Sequence, residues 1–325
     1  MSTPTDSRRE HPSTYFVQDR SNEEELVRLQ VQDQMVTAGM GGVLPEQLNP
    51  TIFQRVLDVG CGTGGWLIEV AKTYPTTSLL LGVDANERMI AYACAQAEAQ
   101  QVSDRVQFRT TGALRMLEFP VDFFDLQQGA EILSHVTGRM LAFCSQGDGS
   151  ILWHIAVVNQ RFGSSFLRTW DWPKLLQEYQ RVTRPGGVIR LTESDTGKNN
   201  SPALTRLYQL LEQTSYKAGH LFTPGKNGPA NELANLLRKS GFQNVQSRSH
   251  TFEYRAGSAE WQLFYEDTRR VFRTIVPFFR KWTRLPDDYE TIYQQALSEM
   301  QQPDFVATWN LLTAWATKRH SVSVR

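Results

Sequence analysis

The sequence is poor in the features that mark several large classes of protein. Its three cysteines, Cys61, Cys94 and Cys144, are scattered with no CxxC pair. That argues against a disulfide framework and a thiolate zinc site, and suits a reducing compartment. None of the six histidines stands in an HxxxH or HExxH spacing, so no metal site is expected. There is no excess of charge. Thirty-four basic residues balance 34 acidic ones, which gives no general attraction to nucleic acid or to an anionic membrane. The apolar runs, such as Ser78–Val83 and Ile151–Val158, fall far short of the roughly 20 residues a membrane-spanning helix needs. The first residues are polar and contain no apolar segment of the signal-peptide kind. A soluble, cytoplasmic protein is expected.

What is present fits one α/β domain with additions in a chain of 325 residues, 40% hydrophobic. Residues 1–20 read as a disordered leader and 21–50 as a helical cap. Ser21 and Asn22 can cap a helix that opens with Glu23, Glu24 and Glu25, runs to about Val36, and is broken by Gly41, Gly42 and Pro45. From Phe53 the pattern becomes strand, turn, helix. Strands are expected at Arg55–Val59, Ser78–Val83 and Arg105–Arg109, with helices at about 64–73 and 86–98. Further on, Trp172–Val182 reads as a helix, Arg184–Gly187 as a turn and Val188–Thr192 as a strand. Helices at about 202–219 and 228–240 precede a strand from Val245 to Tyr254. The alternation predicts a doubly wound, mostly parallel α/β sheet over 51–255. Eleven aromatic residues between Phe252 and Tyr293 predict a helical aromatic lid over 256–304, with Trp261–Ile275 as one helix ended by Pro277. The last strand and tail occupy 305–325, with a reversed strand at the sheet edge within Thr308–Lys318.

The chemistry is concentrated at the first turn. The run Val56-Leu57-Asp58-Val59-Gly60-Cys61-Gly62-Thr63-Gly64-Gly65-Trp66 is a strand, a glycine loop and the start of a helix. Such a loop lets a ligand approach the backbone and frees the amides of the helix N-terminus. Asp84 ends the second strand, where an acid can accept from both ribose hydroxyls of an adenosine. Gly60, Gly62 and Gly65 also satisfy the GxGxxG dinucleotide pattern. Against that reading, Asp58 would repel a diphosphate and attract an amino group or a sulfonium. The third glycine at Gly64 also makes the spacing tighter.

These residues resemble the class I S-adenosylmethionine-dependent methyltransferases, in the flavour of the quinone-biosynthesis and trans-aconitate enzymes. The resemblance covers roughly 50–320 and includes Asp58–Gly65, Gly82-Val83-Asp84, Phe124-Asp125-Leu126 and Arg184-Pro185-Gly186-Gly187. It implies a seven-stranded Rossmann-like sheet with a reversed last strand, S-adenosyl-L-methionine as cofactor, and a small-molecule methyl acceptor. Gly60, Gly62 and Gly64 would line the methionine part. Asp58 would lie beneath it, holding the loop or reaching the amino group through water. Asp84 would bind the ribose, with Ala85 and Asn86 flanking the adenine. Gly112 stands where the family often has an acid toward the adenine amino group; with Ala113 it would still line that end.

Leu126 to Gly186 is long for the family. Removing Gln127–Val157 joins Phe124-Asp125-Leu126 to Val158-Asn159-Gln160-Arg161-Phe162, a better match than either piece. An insertion at 127–157 is therefore expected, in or beside the fourth strand. Two other readings stay open: Ile151–Val158 as the central strand itself, or a misread stretch of gene. Strand ends carry ligand sites in such sheets. Asn159 is placed at the cofactor, and Arg161, a fourth catalytic candidate, near the pocket. Glu193, Asp195 and His220 are candidates for a general base if the acceptor must lose a proton. No Asn/Asp-Pro-Pro-aromatic or Pro-Cys motif occurs, which argues against nucleic-acid bases as acceptors. A non-catalytic S-adenosylmethionine-binding module and a nicotinamide-dependent dehydrogenase remain as alternatives.

Overall fold

The computed structural model describes residues 15–17, 19, 22–113, 155–195, 197–222 and 229–319. The expected Phe124–Leu126 strand and residues 127–154 of the expected insertion, with His135 and His154, lie outside the described residues.

One sheet organises the chain. Strands β1 (Arg55–Val59), β2 (Leu79–Asp84), β3 (Val106–Thr110), β4 (Ile155–Arg161) and β5 (Thr183–Ser194) are mutually parallel in the order β3-β2-β1-β4-β5. Beyond β5 lies β8 (Val306–Thr317), antiparallel, with Glu193 opposite Leu312. Beyond β8 lies β7 (Gln243–Arg255), again antiparallel, with Tyr254 opposite Ala307. The two-residue β6 (Lys198–Asn199) pairs with Thr308 and Ala307 of β8. This is a doubly wound, Rossmann-like sheet with a reversed strand after the fifth, as the resemblance implied.

Three local expectations are corrected. The reversed last strand is interior, because β8 is hydrogen-bonded along both sides, and β7 takes the edge. Arg184–Gly187 belongs to β5 as a bulge. Thr183 pairs with Ile155 and Val188 with Val157, so the four residues between are looped out, with Gly186 at φ 72°. The insertion boundary at Val157 falls inside β4. That strand starts at Ile155, and Val157 pairs with Val56 of β1.

The sheet is covered on both faces and at one end. On one face, α2 (Gly65–Thr73) and α3 (Glu87–Ala99) bury Trp66, Leu67, Ile68, Ile90 and Ala93 against Val56, Leu80 and Val157. On the other, α4 (Trp172–Val182) and α6 (Leu233–Lys239) bury Trp172, Leu175, Leu176, Tyr179, Leu233 and Leu237 against Leu57, Val59, Val158, Ile189 and Leu191. A third core belongs to α1 (Glu23–Gly39), α5 (Pro202–Lys217), α7 (Ala259–Thr274), α8 (Val276–Trp282) and α9 (Tyr289–Glu299), with Tyr254 and Leu311 of the sheet. Most of the lid aromatics pack here. Trp261 donates through Nε1 to the Met300 carbonyl at 2.9 Å, and the Tyr265 hydroxyl accepts from Gln301.

Part of the leader is ordered. Phe16 donates its amide to the Ser165 carbonyl at 3.0 Å and sits against the rings of His220 and Phe278. Val17 is buried. Burial of these apolar side chains outweighs the cost of ordering a short segment, so disorder over 1–20 does not hold at Tyr15–Val17. Tyr15 also joins the polar lock that fastens α1 to α7. Its hydroxyl donates to Glu25 Oε1 at 2.5 Å. Arg28 donates to both Glu25 oxygens at 2.7 Å and to Asp267 Oδ1 at 3.0 Å. Glu25, Arg28 and Asp267 are all buried. This lock fixes how α1 lies over the ends of the parallel strands.

Candidate active site

The glycine loop leaves β1 and is held from below and from the side. Gly60 and Cys61 donate their amides to the Val83 carbonyl of β2, at 2.8 and 3.0 Å. Gly64 has φ 76°, and a Cβ there would stand 2.5 Å from the Phe108 ring, so neither the conformation nor the space admits a side chain. Asp84 spans the mouth of the loop. Its Oδ2 accepts the Gly62 amide at 3.0 Å and its Oδ1 the Asn86 amide at 2.8 Å. Asn86 in turn caps α3 by accepting the Arg88 amide. Ala85 is exposed beside it. Gly112 and Ala113 follow β3 directly, where the Thr111 amide donates to the Asp84 carbonyl at 2.8 Å. The residues expected at a cofactor are therefore together at the ends of β1, β2 and β3, except Asp58 and Asn159, which lie deeper in the sheet.

Asn159 is spent elsewhere. Sheet register aligns Asp58, Asn159 and Arg190 on neighbouring strands. Asn159 donates to Asp58 Oδ1 at 2.8 Å and accepts from Arg190 at 2.7 Å. Arg190 donates to Glu46 Oε1 at 2.6 Å. Asp58, Asn159 and Arg190 are buried, and the Arg190 and Glu46 side chains are 1% and 0% exposed. This row supports the loop from beneath. Burial pushes the Asp58 carboxyl up to about 6, against the downward pull of the Arg161 guanidinium and the Asn159 amide.

From above, α1 closes on the loop. Leu29 lies against Gly62, and Asp33 Oδ2 lies so close to Gly65 that a Cβ there would stand 2.1 Å away. Arg161, at the end of β4, pairs with Asp33, donates to Thr37 Oγ1 at 3.4 Å and lies 5.8 Å over the Trp66 ring. Phe166 meets Gly60 from the side of β4. A groove of about 740 Å³ runs behind this roof along α2 and α3, lined by Gln30, Gln34, Glu69, Tyr74, Tyr92 and Gln96 among others. It reaches Thr63 and Gly65 but not Asp84, so it is not the adenosine end of the site.

The four residues considered for catalysis are mostly tied into the scaffold. Glu193 accepts from the Ser164 hydroxyl at 2.7 Å and from the Ser164 amide at 3.2 Å, and it is buried. The ring of His220 meets the Ser164 carbonyl at 2.8 Å, and burial brings it down to about 4, so it is neutral at pH 7. Ser164 thus links Glu193 and His220 within the turn after β4. Asp195 is half-buried at the end of β5 and accepts from Asn310 at 3.3 Å; burial raises its carboxyl above the usual range. Arg161 is engaged with Asp33.

Burial also pushes Glu193 up to about 7 from 4.5, the Ser164 hydrogen bonds opposing it. The folded state therefore holds a proton more tightly than the unfolded chain. The resulting penalty is absent below pH 4.5 and complete above about pH 7, where it is on the order of 3 kcal/mol. Glu193→Gln should then raise the thermal midpoint at pH 8 and change it much less at pH 5. Equal shifts at the two pH values in a melting series would show that Glu193 is not the strained acid its burial implies.

A family profile described as a methyltransferase domain matches residues 54–222, more than half of the chain. The chain belongs to the class I S-adenosylmethionine-dependent methyltransferases. The methyltransferase is 27% identical over 211 residues to the demethylmenaquinone methyltransferase of Lactiplantibacillus plantarum, covering 61% of this chain and 74% of that one. It is 24% identical over 233 residues to the O-methyltransferase resE of Aspergillus sclerotiorum, covering 71% and 68%. Among solved structures, phosphoethanolamine N-methyltransferase 2 of Haemonchus contortus, in complex with phosphomonomethylethanolamine and S-adenosylhomocysteine, aligns with a TM-score of 0.48 at 16% identity. That alignment covers 94% of this chain, which spans 60% of the Haemonchus protein. The family uses S-adenosylmethionine as methyl donor, and the residues of this methyltransferase fit it. Asp84 spans the loop mouth, and Asp58 beneath the loop would repel a diphosphate and attract a sulfonium. Among the described residues, no group of three His, Cys, Asp or Glu could hold a metal ion, and no helix is long and apolar enough to cross a membrane.

The sequence reading missed Asp33, Thr37, Glu46, Arg190 and Phe166. For Arg190 a signal existed, since a lone arginine inside Val188–Thr192 is out of place in a central apolar strand. For the α1 residues no motif could have served, because their partners are brought to them by tertiary docking.

Proposed function

We propose that this methyltransferase transfers the methyl group of S-adenosylmethionine to a small-molecule acceptor bound between the strand ends and the helical layer. The observation that carries this reading is the roof: Leu29, Asp33 and Phe166 close on the glycine loop, and α1 is locked to α7 by buried charges. A site so covered suits an acceptor that enters whole rather than a base or side chain on a macromolecule. The balanced charge agrees. So do the relatives, which include enzymes named for demethylmenaquinone and for O-methyl transfer. Asp84 would hold the ribose, Gly60, Gly62 and Gly64 the methionine part, and Asn86, Gly112 and Ala113 the adenine end.

The cofactor supplies an activated methyl on a sulfonium, so the protein's task is orientation and exclusion of water. Glu193 and His220 are buried and bonded to Ser164; Asp195, half-buried after β5 with one oxygen on Asn310, would be the candidate base if the acceptor must lose a proton. The test is incubation with tritiated S-adenosylmethionine and a whole-cell extract, followed by separation of small molecules from protein and nucleic acid. Label in the small-molecule fraction is expected. Label confined to macromolecules would overturn the acceptor class. Binding of S-adenosylhomocysteine without any transfer would favour the non-catalytic module.

A further inference from the structure

We infer that Asp33 and Arg161 form the receptor for the amino-acid end of S-adenosylmethionine, Asp33 taking its ammonium and Arg161 its carboxylate, in exchange for the ion pair they make with each other. The inference rests on the cofactor reading above and adds to it two residues that lie outside the glycine motif. Three observations carry it. The first is position. Asp33 Oδ2 rests against Gly65, the first residue of α2, while Leu29, one turn earlier on α1, covers Gly62. The carboxylate therefore stands on the stretch of loop that the methionine part would occupy. The second is the state of Arg161. It is held at the end of β4 over the Trp66 ring and beside Thr37, and its partner Asp33 comes from an element that docks onto the loop from outside the sheet. Both side chains keep partial access to solvent, 13% and 17%, so breaking the pair strands no charge in a dry interior. The third is the charge count. With Asp84 left to the ribose, the groups around the methionine part, Asp58 beneath the loop, Asp33 above it and Arg161 at the end of β4, sum to one negative charge once Asp58 is ionised. A sulfonium, an ammonium and a carboxylate sum to one positive charge. An incoming zwitterion replaces each half of the Asp33–Arg161 pair by a group of like sign, so the exchange conserves ion pairs and leaves the sulfonium balanced by Asp58.

The exchange also gives α1 a role in closure. With Asp33 released from Arg161 to the ligand ammonium, the bound cofactor itself tethers α1 to the loop.

The experiment uses titration calorimetry on the full chain with three probes: S-adenosylhomocysteine, decarboxylated S-adenosylmethionine, and methylthioadenosine, which lacks the amino-acid end. The wild type should bind S-adenosylhomocysteine at least about tenfold more tightly than methylthioadenosine. Asp33→Asn should weaken the first two probes about tenfold and leave methylthioadenosine unchanged. Arg161→Gln should weaken only S-adenosylhomocysteine, and Arg161→Lys should recover part of the loss. Should Arg161→Gln fail to fold, Arg161→Lys and Asp33→Asn still decide the matter by the ratio between probes. Equal losses for all three probes, or none, would overturn the pairing. A wild type that binds S-adenosylhomocysteine and methylthioadenosine equally would overturn it while leaving the cofactor reading intact. A wild type that binds none of the probes would overturn both.

Discussion

Arg190→Met should cost about 3–5 kcal/mol of folding stability, the range seen when one partner of a buried ion pair is removed. The guanidinium bonds Glu46 on one side and Asn159 on the other, and the Arg190 and Glu46 side chains are almost wholly out of solvent. Methionine fills the volume but leaves the Glu46 carboxylate without a counter-charge and the Asn159 carbonyl without a donor. The double variant Arg190→Met/Glu46→Leu removes both ends and should recover most of the loss, because an apolar pair of similar volume often replaces a buried ion pair at little cost. Urea denaturation of the two variants checks this. A single variant that loses less than about 1 kcal/mol would show that Glu46 reaches water by relaxation. The effect should travel to the site. Arg190 is among the groups that lower the Asp58 carboxyl, so without it Asp58 holds its proton to still higher pH. Cofactor affinity at pH 7 should then fall, and recover as the pH is raised.

How much of this was legible in the sequence depends on how local the cause is. The glycine loop, Asp84 and the strands flanking them are set by short-range rules. Only glycine tolerates φ 76° at residue 64 with the Phe108 ring 2.5 Å from a Cβ. The acid at the end of β2 meets the loop simply because β1 and β2 are adjacent and parallel. The helix at Trp172–Val182 is legible to the residue, since its apolar positions 172, 175, 176, 179 and 182 keep helical spacing. The misreadings share a different cause. Arg184-Pro185-Gly186-Gly187 looks like a turn because it is one locally. That β5 resumes on the same path is decided by pairing with β4 and by the amide of Gly186 donating to Lys318. The last strand looks like an edge because nothing within Thr308–Lys318 tells which side β7 will occupy. The roof was illegible for the same reason in a stronger form. Arg28 meets Asp267 across 239 positions, and Asp33 meets Arg161 across 128. Asn159 was drawn to the cofactor by its place near a strand end, yet register with Asp58 and Arg190 turns its side chain into the sheet face.

Asp84→Ala should raise the dissociation constant for S-adenosylhomocysteine at least a hundredfold, the largest effect on binding expected of any single change. Two losses combine. A charged carboxylate that accepts a hydrogen bond contributes about 1.5–3 kcal/mol for each bond, and under the proposed assignment two ribose hydroxyls depend on it. The same carboxylate already accepts the amides of Gly62 and Asn86. Each carboxylate oxygen has more than one lone-pair direction, so it can serve the backbone and a ribose together. Removing it loosens the loop as well as deleting the ribose contact. For that reason the fold is not indifferent to the change, as a strand-end acid would be if it only faced solvent. Alanine should lower the thermal midpoint by several degrees, whereas Asp84→Asn, which keeps one acceptor, should lower it less and weaken binding by about tenfold. The two readouts separate the two roles. If both variants lose stability but bind S-adenosylhomocysteine as the wild type does, Asp84 is a loop anchor and the ribose is held elsewhere. If binding falls in step with the number of acceptors removed, the carboxylate holds ligand and loop at once, and the loop arrives at the cofactor already shaped to receive it.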